Sequence, residues 1–171
     1  SPDWLRRRIE AMGLRPINNI VDASNFVLFA TAHPIHVFDL NKLAGRKIIV
    51  RKANKGESLK TLEGKLLELS PDMLVIADEE KPVALAGVIG GEETGVAEST
   101  TDVFIESACF DPVSVRMTGK KAGLSTDASY GFERGADISF PPQAALMAAS
   151  ILSQFGGKVT RGVLDIFPKP R

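Results

Sequence analysis

An α+β fold is predicted by three features of the sequence. Helix signals stand at both ends, the middle is a series of short apolar or alternating runs, and turn residues separate those runs. Ser1-Pro2-Asp3 opens the first helix with a capping hydroxyl and a proline where the missing N–H costs nothing. Leu5, Ile9 and Met12 follow at helical spacing, and Gly13 stops it. A second helix is expected from Asn19 to Ala30, with Ile20, Phe26 and Val27 turned inward.

Strands are then expected at Val37-Phe38, Lys47 to Ala53, Leu59 to Leu62, Lys65 to Leu69, Leu74 to Ala77, Pro82 to Ile89 and Val103 to Ala108. The turns between them fall at Asn54, Gly56, Glu63-Gly64, Pro71-Asp72 and Gly90-Gly91. Asp111 caps a helix running to about Ala122, which Gly123 ends. Pro141-Pro142 opens a last helix with Ala145, Ala148, Ala149 and Leu152 on one face. Gly156-Gly157 closes it, and Val159 to Ile166 is expected to return as a strand.

The chain of 171 residues, 44% hydrophobic and 25% charged, suits one well-buried core, so a single domain over 1–171 is expected. It starts without Met at a helix opening and stops at Lys169-Pro170-Arg171, which reads as a piece of a longer polypeptide. No apolar run approaches the roughly 20 residues of a spanning helix, and no membrane partner is expected. The single cysteine, Cys109, excludes a disulfide framework and a Cys-based zinc site, and a cytoplasmic location is the natural expectation. Formal net charge is zero, with 21 basic and 21 acidic residues, which argues against a domain whose main work is gripping nucleic acid backbone. The basic clusters Arg6-Arg7-Arg8, Lys120-Lys121 and Lys169 with Arg171 read as solvated faces.

A few residues stand out chemically. Gly87-Val88-Ile89-Gly90-Gly91 through Gly95 is either a strand ending in a bulge and tight turn or a backbone surface for a ligand; without a following Lys-Ser or Lys-Thr it is no phosphate loop. His36, three residues before Asp39, is either a hydrogen-bonded structural histidine or part of a site. Glu106 lies within an apolar strand on the same face as Phe104 and Ala108. Its carboxylate must be exposed at an edge, paired, or reserved for a ligand, because burying it alone is costly. Gly123 to Ser129 is dense in small residues and hydroxyls, making either a capping turn or a polar pocket wall. Glu133-Arg134-Gly135 reads as an ion pair at a turn, and Cys109 as a core thiol.

Together these segments resemble one family. Arg15 to Asp22, Ser24-Asn25-Phe26-Val27 and Pro34 to Asp39 are similar to the opening of the central module of bacterial phenylalanyl-tRNA synthetase β chains. The likeness continues through Leu74 to Asp78, Ala84 to Gly91 and Glu106-Ser107-Ala108, and closes with Thr126 to Ser129 and Phe132 to Gly135. The resemblance implies a three-layer ββα sandwich and a pocket that clears tyrosine from mischarged phenylalanine tRNA. The implied pocket positions are Arg15, His36, Gly90, Glu106, Thr126 and Ala128, with His36 and Glu106 the candidates for a catalytic part.

In that reading Glu106 demands the phenolic hydroxyl that phenylalanine lacks. Gly90 and Ala128 leave room for the ring, and Thr126 offers a hydroxyl. His36 orients substrate or water, and Arg15 pairs with Glu106 or meets the terminal adenosine. No metal or cofactor is implied for this domain; ATP and Mg²⁺ would serve the parent synthetase, whose α subunit would complete an (αβ)₂ assembly, and the implied RNA partner is the 3′ end of the phenylalanine tRNA carrying tyrosine. The chain departs from the family pattern at Ala32-His33, often Gly-Gln, and at Gly131, often Arg. The competing readings are a non-catalytic RNA-binding or interaction module and a free-standing trans-editing protein.

Overall fold

Two helices at the start of the chain are joined by aromatic packing. In the computed structural model, which describes residues 1–167, α1 spans Asp3–Ala11 and α2 spans Asn19–Thr31. Leu5 and Ile9 bury the inner stripe of α1, and Trp4 meets Phe26 of α2 edge-on at 5.7 Å. The Asn18 side chain caps α2 by accepting from the Ile20 and Val21 amides. Ser1, expected as the cap of α1, instead donates its hydroxyl to the buried Asp22 carboxylate at 2.5 Å, and Pro2 takes the cap position without a side-chain bond.

The strands are β1 (Ile35–Asp39), β2 (Ile49–Lys52), β3 (Ser58–Lys60), β4 (Leu66–Glu68), β5 (Leu74–Ala77), β6 (Pro82–Leu85), β7 (Ile89–Gly90) and β8 (Val103–Ser107). They form three antiparallel sheets: β1-β8, β2-β5-β6-β7 and the hairpin β3-β4. The helices α3 (Pro112–Ala122), α4 (Asp127–Glu133) and α5 (Pro141–Ser153) follow. This is the α+β fold the sequence predicts. Among the described residues no helix is long and apolar enough to cross a membrane.

Strand alternation makes the β1-β8 pair a middle layer. On one face Ile35 and Ile105 pack against a small core of Ala23 and Val27 from α2 with Ala144, Ala148 and Ile151 from α5. On the other face Phe38 and Phe104 enter the main core with Val75, Val83 and Leu85 of the four-stranded sheet. Helices, β pair and larger sheet therefore stack as layers. His36 and Glu106, two residues from Phe38 and Phe104, share their face and point between the two sheets.

Several expectations need correction. The apolar run 82–89 is not one strand: Ala86-Gly87-Val88 turns the chain, with the Val88 amide donating to the Leu85 carbonyl at 2.9 Å and Gly87 at φ +69°. The turn was hidden because it is apolar; it is packed under Phe110, Val115 and Phe132. Gly90-Gly91, expected as a turn, is strand: Gly90 ends β7 and Gly91 bridges Thr61.

Of the expected α5 face, Ala148 is buried and Leu152 packs partly against the same core, whereas Ala144 and Ile151, and not Ala145 and Ala149, are its other buried residues. The expected strand at 159–166 is absent; Val163, Leu164 and Ile166 are exposed and find no neighbouring strand among the described residues. Helix α4 was not anticipated, and in place of a Glu133–Arg134 ion pair Arg134 lies 3.2 Å over the Tyr130 ring. The basic pair Lys169 and Arg171 lies outside the described residues.

Candidate active site

His36 and Glu106 are directly opposed partners across the β1-β8 pair. Residues so paired on one face bring their side chains within reach of each other. They form one wall of a cavity of about 190 Å³. Ala84 and Gly90 contribute the facing wall from the larger sheet, Ala128 comes from α4, and Leu62 from the tip of the β3-β4 hairpin. For scale, an apolar cavity of about 150 Å³ accepts benzene, so this one has room for a single aromatic ring.

The two polar groups in this wall are unsatisfied by protein. The Glu106 carboxylate keeps part of its surface toward the cavity and has no hydrogen-bond or charge partner among the described residues, and burial pushes it up from 4.5 to about 7. The buried Nε2 of His36 has no partner either, and burial lowers this imidazole from 6.5 to about 4. At neutral pH the histidine is therefore uncharged and the carboxyl is near its midpoint. Neither is the satisfied structural residue or exposed edge group that the sequence left open.

Gly90 explains how the histidine fits. A Cβ built there would stand 2.4 Å from His36 Cε1 and 2.8 Å from its Nε2. The Phe38 ring closes on the imidazole edge-on at 4.4 Å. The glycine is needed for space, since its backbone is not in the left-handed region.

The B3/4 domain family matches residues 1–157 of the chain. The chain belongs to that family. It is also 49% identical over 170 residues to the phenylalanine–tRNA ligase beta subunit of Carboxydothermus hydrogenoformans, covering 99% of this chain and 21% of that protein. The beta subunits of Geobacter metallireducens (47% over 171 residues, 99% and 21%) and Protochlamydia amoebophila (49% over 169 residues, 96% and 21%) are similarly related. The chain thus spans about a fifth of the length of these curated relatives.

In this B3/4 domain the cavity gathers His36, Gly90, Glu106 and Ala128, and leaves out Arg15 and Thr126. Arg15 is exposed on the segment joining α1 to α2 and makes no ion pair with Glu106. Thr126 is the cap of α4: its hydroxyl accepts from the Ser129 amide at 3.1 Å and donates to the Val88 carbonyl at 2.7 Å. The Thr126 amide in turn donates to the Ser129 hydroxyl oxygen at 2.9 Å, closing a capping box. Thr126 therefore holds α4, and with it Ala128, against the Gly87-Val88 turn. Thr126→Ala should lower the stability of the domain by about 1–2 kcal/mol, read as a lower denaturation midpoint with unchanged slope.

Leu62, Phe110 and Phe132 also line the cavity and were not anticipated. Only the alternation of β8 had marked its face, and these three arrive from a hairpin tip, a loop and a helix. The two departures from the family pattern meet in space. Gly131 is packed on Pro34, where a Cβ would come within 3.2 Å of its Cγ, next to buried His33. His33 stands among Phe132 and Phe140, its pKa lowered by burial against opposing contributions from the Ala108 backbone and Asp137.

Proposed function

We propose that this B3/4 domain hydrolyses tyrosine wrongly esterified to the phenylalanine tRNA, as the post-transfer editing module of a phenylalanine–tRNA ligase beta subunit. Glu106 carries the reading: an acidic side chain without a partner among the described residues, in a cavity sized for one aromatic ring. A size sieve that admits tyrosine also admits phenylalanine, so selection must rest on the hydroxyl. The phenol O–H donates to the Glu106 carboxylate; phenylalanine would fill the same space and leave the carboxylate desolvated and unpaired. Sites of this type reject the analogue lacking the hydroxyl by as much as about 10⁴–10⁵-fold.

Hydrolysis follows from position. Water adds to the ester carbonyl, the bond from that carbon to the ribose oxygen breaks, and that oxygen takes up a proton as tyrosine and free tRNA separate. The neutral His36 imidazole, with its free Nε2, orients the water or the ester. Backbone amides and the neighbouring ribose hydroxyl of the tRNA assist the developing charge. In the parent ligase, ATP and Mg²⁺ would serve aminoacylation on other domains, and the α subunit would complete an (αβ)₂ assembly in the cytoplasm.

The test uses one tRNA charged with tyrosine or with phenylalanine, incubated with the wild-type chain and with Glu106→Gln. The wild type should release tyrosine selectively, and the variant should lose about 10–100-fold of that rate. Equal clearance of the tyrosyl ester by Glu106→Gln would remove the carboxylate from recognition. Survival of both esters with the wild type would favour a non-catalytic interaction module.

A further inference from the structure

We propose that Leu62 is a specificity-determining residue of the cavity, the apolar side chain at the β3-β4 hairpin tip that seals a bound phenol ring against solvent. The proposal rests on the editing reading for the identity of the ring. Its geometry is independent of that reading.

Leu62 combines two properties that a core leucine does not. It is 51% exposed, and it lines the cavity beside His36, Gly90 and Glu106. It therefore stands at the boundary between cavity and solvent. The hairpin tip that carries it is held in place by backbone bonds to the glycine strand. The Leu62 amide donates to the Gly90 carbonyl at 3.0 Å, the Glu92 amide donates to the Lys60 carbonyl at 2.9 Å, and Thr61, fully buried, bridges Gly91.

The side chain lies across bare backbone. Its Cδ1 would be 3.1 Å from a Cβ at Gly90, and its Cδ2 2.9 Å from a Cβ at Gly95. The same Cβ at Gly90 would strike the His36 ring, so imidazole and leucine both close on this one glycine. A ring entering between Glu106 and Gly90 meets Leu62 as its outer wall. Excluding water there strengthens the phenol-to-carboxylate bond and raises the penalty for leaving Glu106 unpaired, which is how an apolar residue sharpens a choice made by a polar one.

The test compares Leu62→Ala and Leu62→Met with the wild-type chain. The first readout is the titration midpoint of the Glu106 carboxyl, followed by NMR without substrate. Opening the cavity in Leu62→Ala should move this midpoint down toward the ordinary carboxylate range by about one pH unit, and Leu62→Met should keep the wild-type value. The second readout is hydrolysis of the two esters. Leu62→Ala should raise KM for the tyrosyl ester about tenfold with little change in kcat, and lower the tyrosyl-to-phenylalanyl preference, with Leu62→Met restoring both.

Thermal stability should hold in both variants because the side chain is half in water. An unmoved Glu106 midpoint in Leu62→Ala overturns the proposal, as does an unchanged ester preference in an active chain. If the wild type hydrolyses neither ester, the editing reading falls and the midpoint alone decides the role of Leu62.

Discussion

Glu106→Gln should make the domain more stable than the wild type at pH 8, by up to about 3 kcal/mol, and no more stable at pH 4.5. The native carboxyl titrates near 7 and the unfolded one near 4.5. Between those values the native state holds a proton that the unfolded state has released, so the contribution of Glu106 to wild-type stability falls as pH rises through this window. The rise from 4.5 to about 7, at about 1.4 kcal/mol per pH unit, sets the ceiling; water in the open cavity reduces it. Glutamine, always neutral, escapes the penalty.

His36 acts with the opposite sign. Its native value of about 4 lies below the unfolded 6.5, so its contribution is lost as pH falls from 6.5 toward 4. From about pH 4.5 to 6.5 the two contributions offset in the wild type, because the folded pair keeps its one proton on Glu106 while the unfolded pair keeps it on the histidine. Removing Glu106 unmasks the histidine. The depressed carboxylates Glu57 and Asp72 lose their ion pairs only in stronger acid and are common to both proteins. Denaturant unfolding at pH 4.5, 6 and 8 reads the difference; a gap between variant and wild type that does not widen with pH would mean that Glu106 is solvated.

Gly90→Ala should destabilise the domain by about 1–3 kcal/mol and drive His36 from its place. The added methyl would stand 2.4 Å from the imidazole Cε1, and the ring cannot retreat freely because Phe38 packs on it at 4.4 Å. The displaced imidazole should meet water and recover a titration midpoint near 6.5, against about 4 in the wild type. The Cε1 proton resonance of His36 followed against pH reads this directly. Gly91→Ala is the informative comparison. There the new methyl meets the Val83 carbonyl oxygen at 2.6 Å, a backbone group that accepts the Gly91 amide at 2.8 Å and has no rotamer to change. Its loss of stability should exceed that of Gly90→Ala, without a matching change in the His36 titration. A Gly90→Ala protein with His36 still titrating near 4 would show that the ring and the glycine are not in contact.

Local signals in the sequence held where a single residue type enforces the backbone. Asp111 before Pro112 places the start of α3, its carboxylate accepting from the Ser114 amide at 2.7 Å, and Gly123 in the left-handed region places its end. The alternation of residues 103–108 put Glu106 on the face of Phe104, which is where it lies. The misreadings share a cause: they fall where packing overrules pattern. An apolar strand continuing through Ala86-Gly87-Val88 looks uninterrupted until three core side chains are seen to close over the turn. Val159 to Ile166 carries Val163, Leu164 and Ile166 as an apolar segment would, yet apolar content supplies no partner to accept its hydrogen bonds.

What the sequence determined alone was which groups had to be accounted for: a carboxylate in an apolar strand, a histidine entering another, and glycines too close together to be ordinary. Only the tertiary structure decided that the first two are register partners and that one glycine is the space the histidine occupies. It also decided that Thr126 spends its hydroxyl on α4, that Arg15 stays in water, and that a leucine from a distant hairpin completes the wall. The physical reason is that side-chain periodicity is local, whereas burial, register and close approach depend on which remote segment arrives opposite.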